Sequence, residues 1–193
     1  MKIGKNCALL VVDIQGGDMT GSWGIGPEEA KEQIKKMLPN AKRVLDVFRA
    51  KHLPVIQVKE VHRKDHVDFG RELDGSEGVH LLENDPHTDY AKLTYPIEGE
   101  YLITKRRYSA FFGTDLEILL KGLKIDTLYL IGCYTDVCIH YTAVDAHQHD
   151  YRLKVVTDAC GGSSVEAHNY ALKAIQYLQR DALITVTDVE DMT

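Results

Sequence analysis

Six short, largely apolar runs recur along the chain and predict β-strands. The first, ALLVV, is continuously apolar, a pattern typical of a strand that is buried on both faces. PVIQV, YLITK, TLYLI, LKVVT and ALITV follow it at intervals that leave room for a helix or a long loop. We therefore predict strands at residues 8–12, 54–58, 101–105, 127–131, 153–157 and 182–186.

Helical patterns occupy most of the intervals between these strands. Pro27 and the two acidic residues after it favour a helix start, and apolar residues continue at helical spacing to Phe48, with Pro39 expected to kink or divide the helix. A capping box beginning at Thr114 predicts a second helix. Further helices are expected at 136–149 and after a cap at Ser163 or Ser164.

Alternating strands and helices predict an α/β fold, a three-layer αβα sandwich around a six-stranded parallel sheet. A length of 193 residues without a repeat or linker predicts one domain over residues 1–193. Residues 60–100 break the alternation, since they contain no clear periodic element. An irregular connection of that length is usually functional, so we expect it to cover an active site.

Charge and composition exclude several classes of function. The formal net charge of −6 disfavours nucleic acid and anionic membranes as partners. No apolar run is long enough for a membrane span, and Asp13 interrupts the first run too early for a signal peptide. Four cysteines without a CxxC pair indicate free thiols and a cytoplasmic location.

Polar residues at the predicted strand ends are the candidates for chemistry, because ligands bind beyond the carboxyl ends of parallel strands. Taken alone, any of these polar residues has an ordinary structural explanation: it can be a turn former or a solvated residue at a strand end. The candidates are Asp13, Glu60, His62, Lys105, the CYTDVC turn and Asp158.

Cys138 differs from the other three cysteines in its predicted position. In the first turn of a helix that begins near Asp136, helix-end N–H groups would stabilise a thiolate and an oxyanion. Cys7, Cys133 and Cys160 are expected to be packing residues. A metal site formed by Cys133 and Cys138 lacks the usual spacing and a second ligand pair.

Three motifs resemble those of the isochorismatase-like cysteine hydrolases, the superfamily of nicotinamidases and N-carbamoylsarcosine amidase. They are VVDIQ at Asp13, TKRRYSAFFGTDL at Lys105 and GCYTDVCIHYTAVDA at Cys138, in the order found in the family. The resemblance implies the strand order 3-2-1-4-5-6. It also implies that Asp13, Lys105 and Cys138 are the catalytic residues, and that the protein is a homo-oligomer, either a dimer or a tetramer.

The chemistry implied by the resemblance is hydrolysis of a small amide or carbamoyl substrate through a thioester. Cys138 would attack the carbonyl, Asp13 would transfer the proton, and Lys105 would stabilise both. The oxyanion hole would consist of the backbone N–H groups of Tyr134 and Cys138, after a cis peptide bond between Cys133 and Tyr134.

Substrate contacts are expected from Glu60, Phe112 and Tyr134, and Trp23 lies in a glycine-rich segment that is a candidate lid. No cofactor is expected, because nucleotide-binding motifs are absent. Nicotinamidases hold a divalent metal with an Asp-x-His pair and a later His, for which this chain has Glu60, His62 and His80. Because Glu replaces Asp, we expect no metal and predict that activity survives chelation.

Two other functions remain open. An isochorismatase-type vinyl ether hydrolase would need the Asp but no thiol, so the presence of Cys138 disfavours it. A non-enzymatic thiol sensor would need a reactive cysteine but no general acid, so the presence of Asp13 and Lys105 disfavours that function.

Overall fold

A six-stranded parallel sheet lies at the centre of the structure, a computed structural model that describes residues 6–17 and 28–192. Its strand order, β3-β2-β1-β4-β5-β6, confirms the predicted fold class and topology. The candidate lid residue Trp23 lies outside the described residues. The strands are β1 Cys7–Val12, β2 Val55–Glu60, β3 Tyr101–Lys105, β4 Thr127–Cys133, β5 Arg152–Gly161 and β6 Leu183–Ile184.

Helices cover both faces of the sheet. They are α1 Glu28–Ala50, α2 Leu116–Gly122, α3 His140–Gln148, α4 Val165–Leu178 and α5 Val186–Asp191. Alternate residues of β1 enter two separate apolar cores, one with α2, α3 and α4 and the other with α1 and α5. The central strands are continuously apolar because both of their faces are buried. Within the described residues, no helix combines the length and apolar character needed to cross a membrane.

Three local features differ from the sequence prediction. Helix α1 continues through Pro39, because this residue lies on the exposed face, where the carbonyl that loses its donor can be hydrated. Strand β5 extends to Gly161, so Asp158 lies inside it and not at its end. The last predicted strand has only two residues, because a capping box of Thr185 and Asp188 starts α5 directly afterwards.

The predicted capping box of the second helix does not form. Its helix begins at Leu116, and the Thr114 hydroxyl accepts from the Leu116 N–H (3.2 Å). The Glu117 carboxylate pairs instead with Lys121 one turn later. The helix at Ser164 follows the prediction, since the hydroxyl caps the Ala167 N–H at 3.0 Å.

Gly132 permits the close contact between the two central strands at the point where β4 approaches the candidate site. Its φ is 127°, and a Cβ atom added there would lie 1.9 Å from the Val12 carbonyl oxygen. The contact is with rigid backbone, so no side chain can move aside to relieve it. The glycine of the GC pair is therefore required by the geometry of the strand end.

We predict that Gly132→Ala lowers the free energy of unfolding by at least about 3 kcal/mol, because backbone must shift in a packed core. Chemical denaturation followed by circular dichroism measures this change. Gly122→Ala is the matched control: its added Cβ meets nothing within 4 Å, and we expect a change of at most about 1 kcal/mol. A Gly132→Ala protein as stable as wild type would contradict this account.

Candidate active site

Three strand ends place Asp13, Lys105 and Cys138 in contact. The Lys105 ammonium group lies 2.8 Å from Asp13 Oδ2 and 3.5 Å from Cys138 Sγ. Lys105 belongs to β3, two strands away from β1, and its side chain is fully buried. The strand between them, β2, ends at Glu60, whose Oε2 also contacts the Lys105 ammonium group. One buried cation is thus shared by two carboxylates and a thiol.

Cys138 lies in a π-helical turn, Thr135–Ile139, directly before α3. The peptide bond between Cys133 and Tyr134 is cis, as predicted. The Tyr134 carbonyl accepts from the N–H groups of Val137 and Ile139 (both 3.1 Å), which closes the turn around the cysteine. On the far side, the Asp136 carboxylate accepts from the N–H (2.8 Å) and hydroxyl (2.6 Å) of Ser163. These bonds hold the turn, which connects β4 to α3, against Ser163 just before α4.

Gln15 fixes the strand end that holds Asp13. Its side-chain amide donates to the carbonyls of Glu60 (2.9 Å) and Thr88 (2.8 Å) and accepts from the Glu60 N–H (2.9 Å). It is buried and connects the end of β1 both to β2 and to the irregular connection. Gln15 was not among the candidates from the sequence, although a glutamine three residues beyond a buried strand was a possible signal.

Burial sets the protonation states of the three contacting groups. It raises the pKa of the Asp13 carboxyl to about 6, against the opposing effect of Lys105. Burial acts to lower the pKa of Lys105, but the charges of Asp13 and Glu60 outweigh it and hold the pKa well above its usual value. At neutral pH, therefore, Asp13 is ionised and Lys105 is charged.

The environment of Cys138 does not stabilise a thiolate as the sequence predicted. Burial raises the pKa of Cys138 well above its usual value, and the charge of Lys105 opposes this only in part, because Asp13 and Glu60 are also close. The side chain is only 8% exposed. In the resting state the sulfur is therefore a thiol beside an ionised carboxylate, and the thiolate must be generated by proton transfer.

A cavity of about 310 Å³ opens onto Cys138. Its inner wall includes Asp13, Cys133, Tyr134 and Cys138. The irregular connection between β2 and β3 supplies much of the remaining wall, with Glu77, Val79, His80, Leu81, Asp85 and His87. That connection contains three short 3₁₀ turns within residues 72–94. It lines the cavity, and that it covers an active site stays a prediction.

A second cluster of polar groups lies next to the first and shares Glu60 with it. The Nε2 atoms of His62 and His80 lie 3.2 and 3.1 Å from Glu60 Oε1. Glu72 Oε1 lies 3.8 and 3.3 Å from the same two nitrogens. All four side chains are buried. Glu72 was not found by sequence reasoning, because it lies in an isolated 3₁₀ turn without periodicity.

The four side chains fit a divalent metal ion. Tetrahedral ligands about 2.0–2.2 Å from zinc lie about 3.3–3.6 Å apart. The four distances between an imidazole nitrogen and a carboxylate oxygen are close to this range, and all four ligand atoms lie within 4.8 Å of one another. His80 Nδ1 lies 2.6 Å from the Gly78 carbonyl oxygen. This acceptor at Nδ1 leaves the His80 Nε2 lone pair for a metal. The extra methylene of Glu60 therefore does not separate its carboxylate from the imidazoles, contrary to our reason for expecting no metal.

Without an ion, the same groups form a charged hydrogen-bonded network. Burial acts to lower the pKa of His80, but the carboxylates of Glu60 and Glu72 outweigh it and raise the pKa to about 10. Burial acts to raise the pKa of Glu60, but the Lys105 charge and the hydrogen bonds hold it well below its usual value. Either a proton or a metal ion at this site would offset the negative charge of the buried carboxylates.

Phe112 and Asp158, both proposed from the sequence, neither line the cavity nor contact the Lys105 or histidine clusters. Phe112 is absent from the cavity lining, and its side chain is 64% exposed, so the structure does not place it at a bound substrate. Asp158 accepts from the Val186 N–H at 2.9 Å and thereby supports the start of α5. Glu60 and Tyr134, the other predicted substrate contacts, both line the cavity.

Comparisons with known proteins agree with this architecture. The isochorismatase domain family matches residues 7–191. The isochorismatase family protein YwoC of Bacillus subtilis is 33% identical over 174 residues, which cover 89% of this chain and 86% of that protein. The chain belongs to the isochorismatase family.

Two further relatives have a stated activity. The nicotinamidase of Schizosaccharomyces pombe is 28% identical over 216 residues, covering 95% of this chain and 94% of the relative. The crystal structure of N-carbamoylsarcosine amidase from Thermoplasma acidophilum superposes with a TM-score of 0.75 at 28% identity, covering 96% and 97% of the two chains. Both proteins are named for the hydrolysis of C–N bonds.

We predict that saturating zinc raises the melting temperature of the protein by about 5 °C or more, because binding to the four buried ligands stabilises the folded state. Differential scanning calorimetry in the Cys138→Ser background measures this shift without a competing thiol ligand. Glu72→Gln should lose at least half of it.

Asp74→Asn is the matched control, since Asp74 lies in the same 3₁₀ turn but is exposed. An unchanged melting temperature with zinc, manganese and ferrous iron would contradict the fit. Four protein ligands leave no open position on a tetrahedral ion. Turnover after chelation is therefore still expected, with reduced stability.

Proposed function

We propose that this hydrolase is a cysteine-dependent amidohydrolase that cleaves the C–N bond of a small amide or carbamoyl compound. The observation that supports this most directly is the contact of one buried ammonium group with both a carboxylate and a thiol, next to a cavity. The two amidase relatives support the same reaction class. The cavity volume suits a substrate of roughly ten non-hydrogen atoms or fewer.

In the first half-reaction the Cys138 sulfur attacks the substrate carbonyl while the ionised Asp13 carboxylate accepts the thiol proton. The new C–S bond makes the carbonyl oxygen an oxyanion. As the intermediate collapses, Asp13 gives its proton to the departing nitrogen, which leaves as ammonia or an amine. In the second half-reaction Asp13 takes a proton from water, which attacks the thioester carbonyl. As the C–S bond breaks, Asp13 returns that proton to the departing sulfur, which releases the acid and restores the free thiol and the ionised carboxylate.

Lys105 has an electrostatic role in this scheme. Its charge lies close to both the sulfur and the carboxylate, so it favours the thiolate as the proton moves to Asp13. Glu60 holds the ammonium group from the other side. A divalent ion bound by Glu60, His62, Glu72 and His80 would fix Glu60 and, through it, Lys105.

We assign the oxyanion hole to the backbone N–H groups of Tyr134 and Cys138. The support is their position, since Cys138 lies in the closed π-helical turn and Tyr134 directly precedes that turn. Both residues also line the cavity. Donors of this kind must lie about 2.7–3.1 Å from the position that the oxyanion will occupy.

Burial of the thiol disfavours the thiol-sensor alternative. Sensor cysteines are accessible and have a lowered pKa, whereas Cys138 is buried and its pKa is raised. A vinyl ether hydrolase remains the second enzymatic candidate, but it leaves the contact between Lys105 and the sulfur without a role. Screening for ammonia release over linear amides, carbamoyl amino acids, biuret and nicotinamide separates these functions.

We predict that Cys138→Ser lowers kcat/KM on a substrate from that screen by at least about 10³-fold, because the nucleophile is lost. Asp13→Asn should lower it by about 10²–10⁴-fold, since it removes the proton acceptor at constant volume. Steady-state ammonia release measures both, with circular dichroism to verify folding.

Cys7→Ser is the matched control for these variants. Cys7 is a buried thiol at the opposite end of β1 from Asp13, so most of the activity should remain. If Cys138→Ser or Asp13→Asn kept near wild-type turnover, the proposed mechanism would be wrong.

We predict an acid limb in kcat/KM centred near pH 6, because Asp13 must be ionised to accept the thiol proton and burial raises its pKa to about 6. The stability effect has the opposite sign. The pKa of Asp13 is higher in the folded protein than its ordinary value near 4. The free energy of unfolding therefore rises as the pH falls from about 6 to about 4. Activity should therefore decline between pH 7 and 5 in a protein that circular dichroism shows to be folded. A limb centred near pH 4 would exclude Asp13 as the base.

A further inference from the structure

The mouth of the cavity carries acidic side chains. Glu77 and Asp85, both from the irregular connection, belong to its lining. Glu77 is partly buried, and its Oε2 lies 3.8 Å from His80 Nε2. Asp85 is exposed, and its carboxylate accepts from the His87 N–H at 2.8 Å. Neither residue has a role in the proposed mechanism. Two carboxylates at the entrance of a small cavity create a negative potential that a substrate must cross.

No Lys or Arg side chain within residues 6–17 and 28–192 lines this cavity to offset that charge. Lys105 lies behind the wall, fully buried and shared by Asp13 and Glu60. Among the arginines near the irregular connection, Arg106 pairs with Asp68 and Arg71 with Asp74. The segment 18–27, DMTGSWGIGP, contains no Lys or Arg in its sequence.

The interior of the cavity does not supply a net positive charge either. The charges of Asp13 and Lys105 cancel. The carboxylates of Glu60 and Glu72 carry two negative charges, which one divalent ion or two protons would only neutralise. Whatever occupies that cluster, the groups around the cavity sum to a negative charge once Glu77 and Asp85 are included. The cations among these groups, Lys105 and His80, already face these carboxylates, so a substrate carboxylate would find no unpaired cation among them.

We infer that this cavity selects amides that carry no negative charge and that it prefers a cationic amide to a neutral one. The inference rests on the proposed function and specifies its substrate class. It separates this enzyme from amidohydrolases that act on carboxylate-bearing substrates, including carbamoyl amino acids, because those substrates need a cation in the pocket. A cationic group attached to the amide would lie towards Glu77 and Asp85.

Three amides of the form X–CH₂–CH₂–CONH₂ test the inference with nearly constant shape. X is ammonium in 3-aminopropanamide, methyl in butanamide and carboxylate in succinamate. At pH about 8 and low salt, we expect kcat/KM to fall in that order, with the cationic amide at least about tenfold better than the anionic one. The ratio should shrink at about 1 M salt, where screening is strong. If turnover is slow, the three amides can be compared as inhibitors of the hydrolysis of the best amide of the screen. The cationic amide should then have the lowest inhibition constant and the anionic amide the highest.

The double variant Glu77→Gln, Asp85→Asn tests whether the preference arises at the mouth. It should reduce the ratio of cationic to anionic kcat/KM at least about threefold. Asparagine preserves the cap on the His87 N–H, so the turn is retained. Glu98→Gln is the matched control, because Glu98 is exposed and outside the cavity lining, and it should keep the wild-type ratio.

Each outcome of this experiment is decisive. Succinamate as the best of the series, equal rates for all three, or a ratio unaffected by the double variant would overturn the inference while leaving the proposed function intact. A different result would remove the proposed function itself: no ammonia from any amide in the screen and no acyl group on Cys138.

Discussion

The buried Lys105 ammonium group is the interaction on which the rest of the site depends. A cation without water is costly unless it is surrounded by opposite charge, and here two carboxylates and a thiol surround it. Each partner comes from a different strand end, so the sheet order determines the site. The same contacts set the chemistry, since they keep Asp13 ionised at neutral pH beside a protonated sulfur.

Glu60 connects this site to the histidine cluster. One carboxylate oxygen contacts Lys105, and the other faces His62 and His80. A change in the cluster would therefore reach Lys105 through a single side chain. The irregular connection that carries Glu72 and His80 also forms part of the cavity wall, so the cluster holds in place a segment that lines the cavity.

The fold was largely predictable because both faces of the central strands are buried, which makes runs such as ALLVV unambiguous. The proposed catalytic residues were predictable because Asp13, Lys105 and Cys138 lie in motifs that resemble a family. Other features depend on tertiary contacts that leave no periodic signal. Glu72 meets His62 and His80 only because the irregular connection folds back on β2. The raised pKa of Cys138 follows from burial that a helix-start position does not reveal.

The most direct test of the account is the identity of the covalent intermediate. Acid quenching during turnover, followed by peptide mapping with mass spectrometry, locates any acyl group bound to the protein. The account predicts an acyl mass on the peptide that contains Cys138, with loss of that mass after treatment with hydroxylamine and none in the Cys138→Ser protein. Steady turnover with an acyl group on another residue, or with no acylated species when deacylation is rate-limiting, would contradict it.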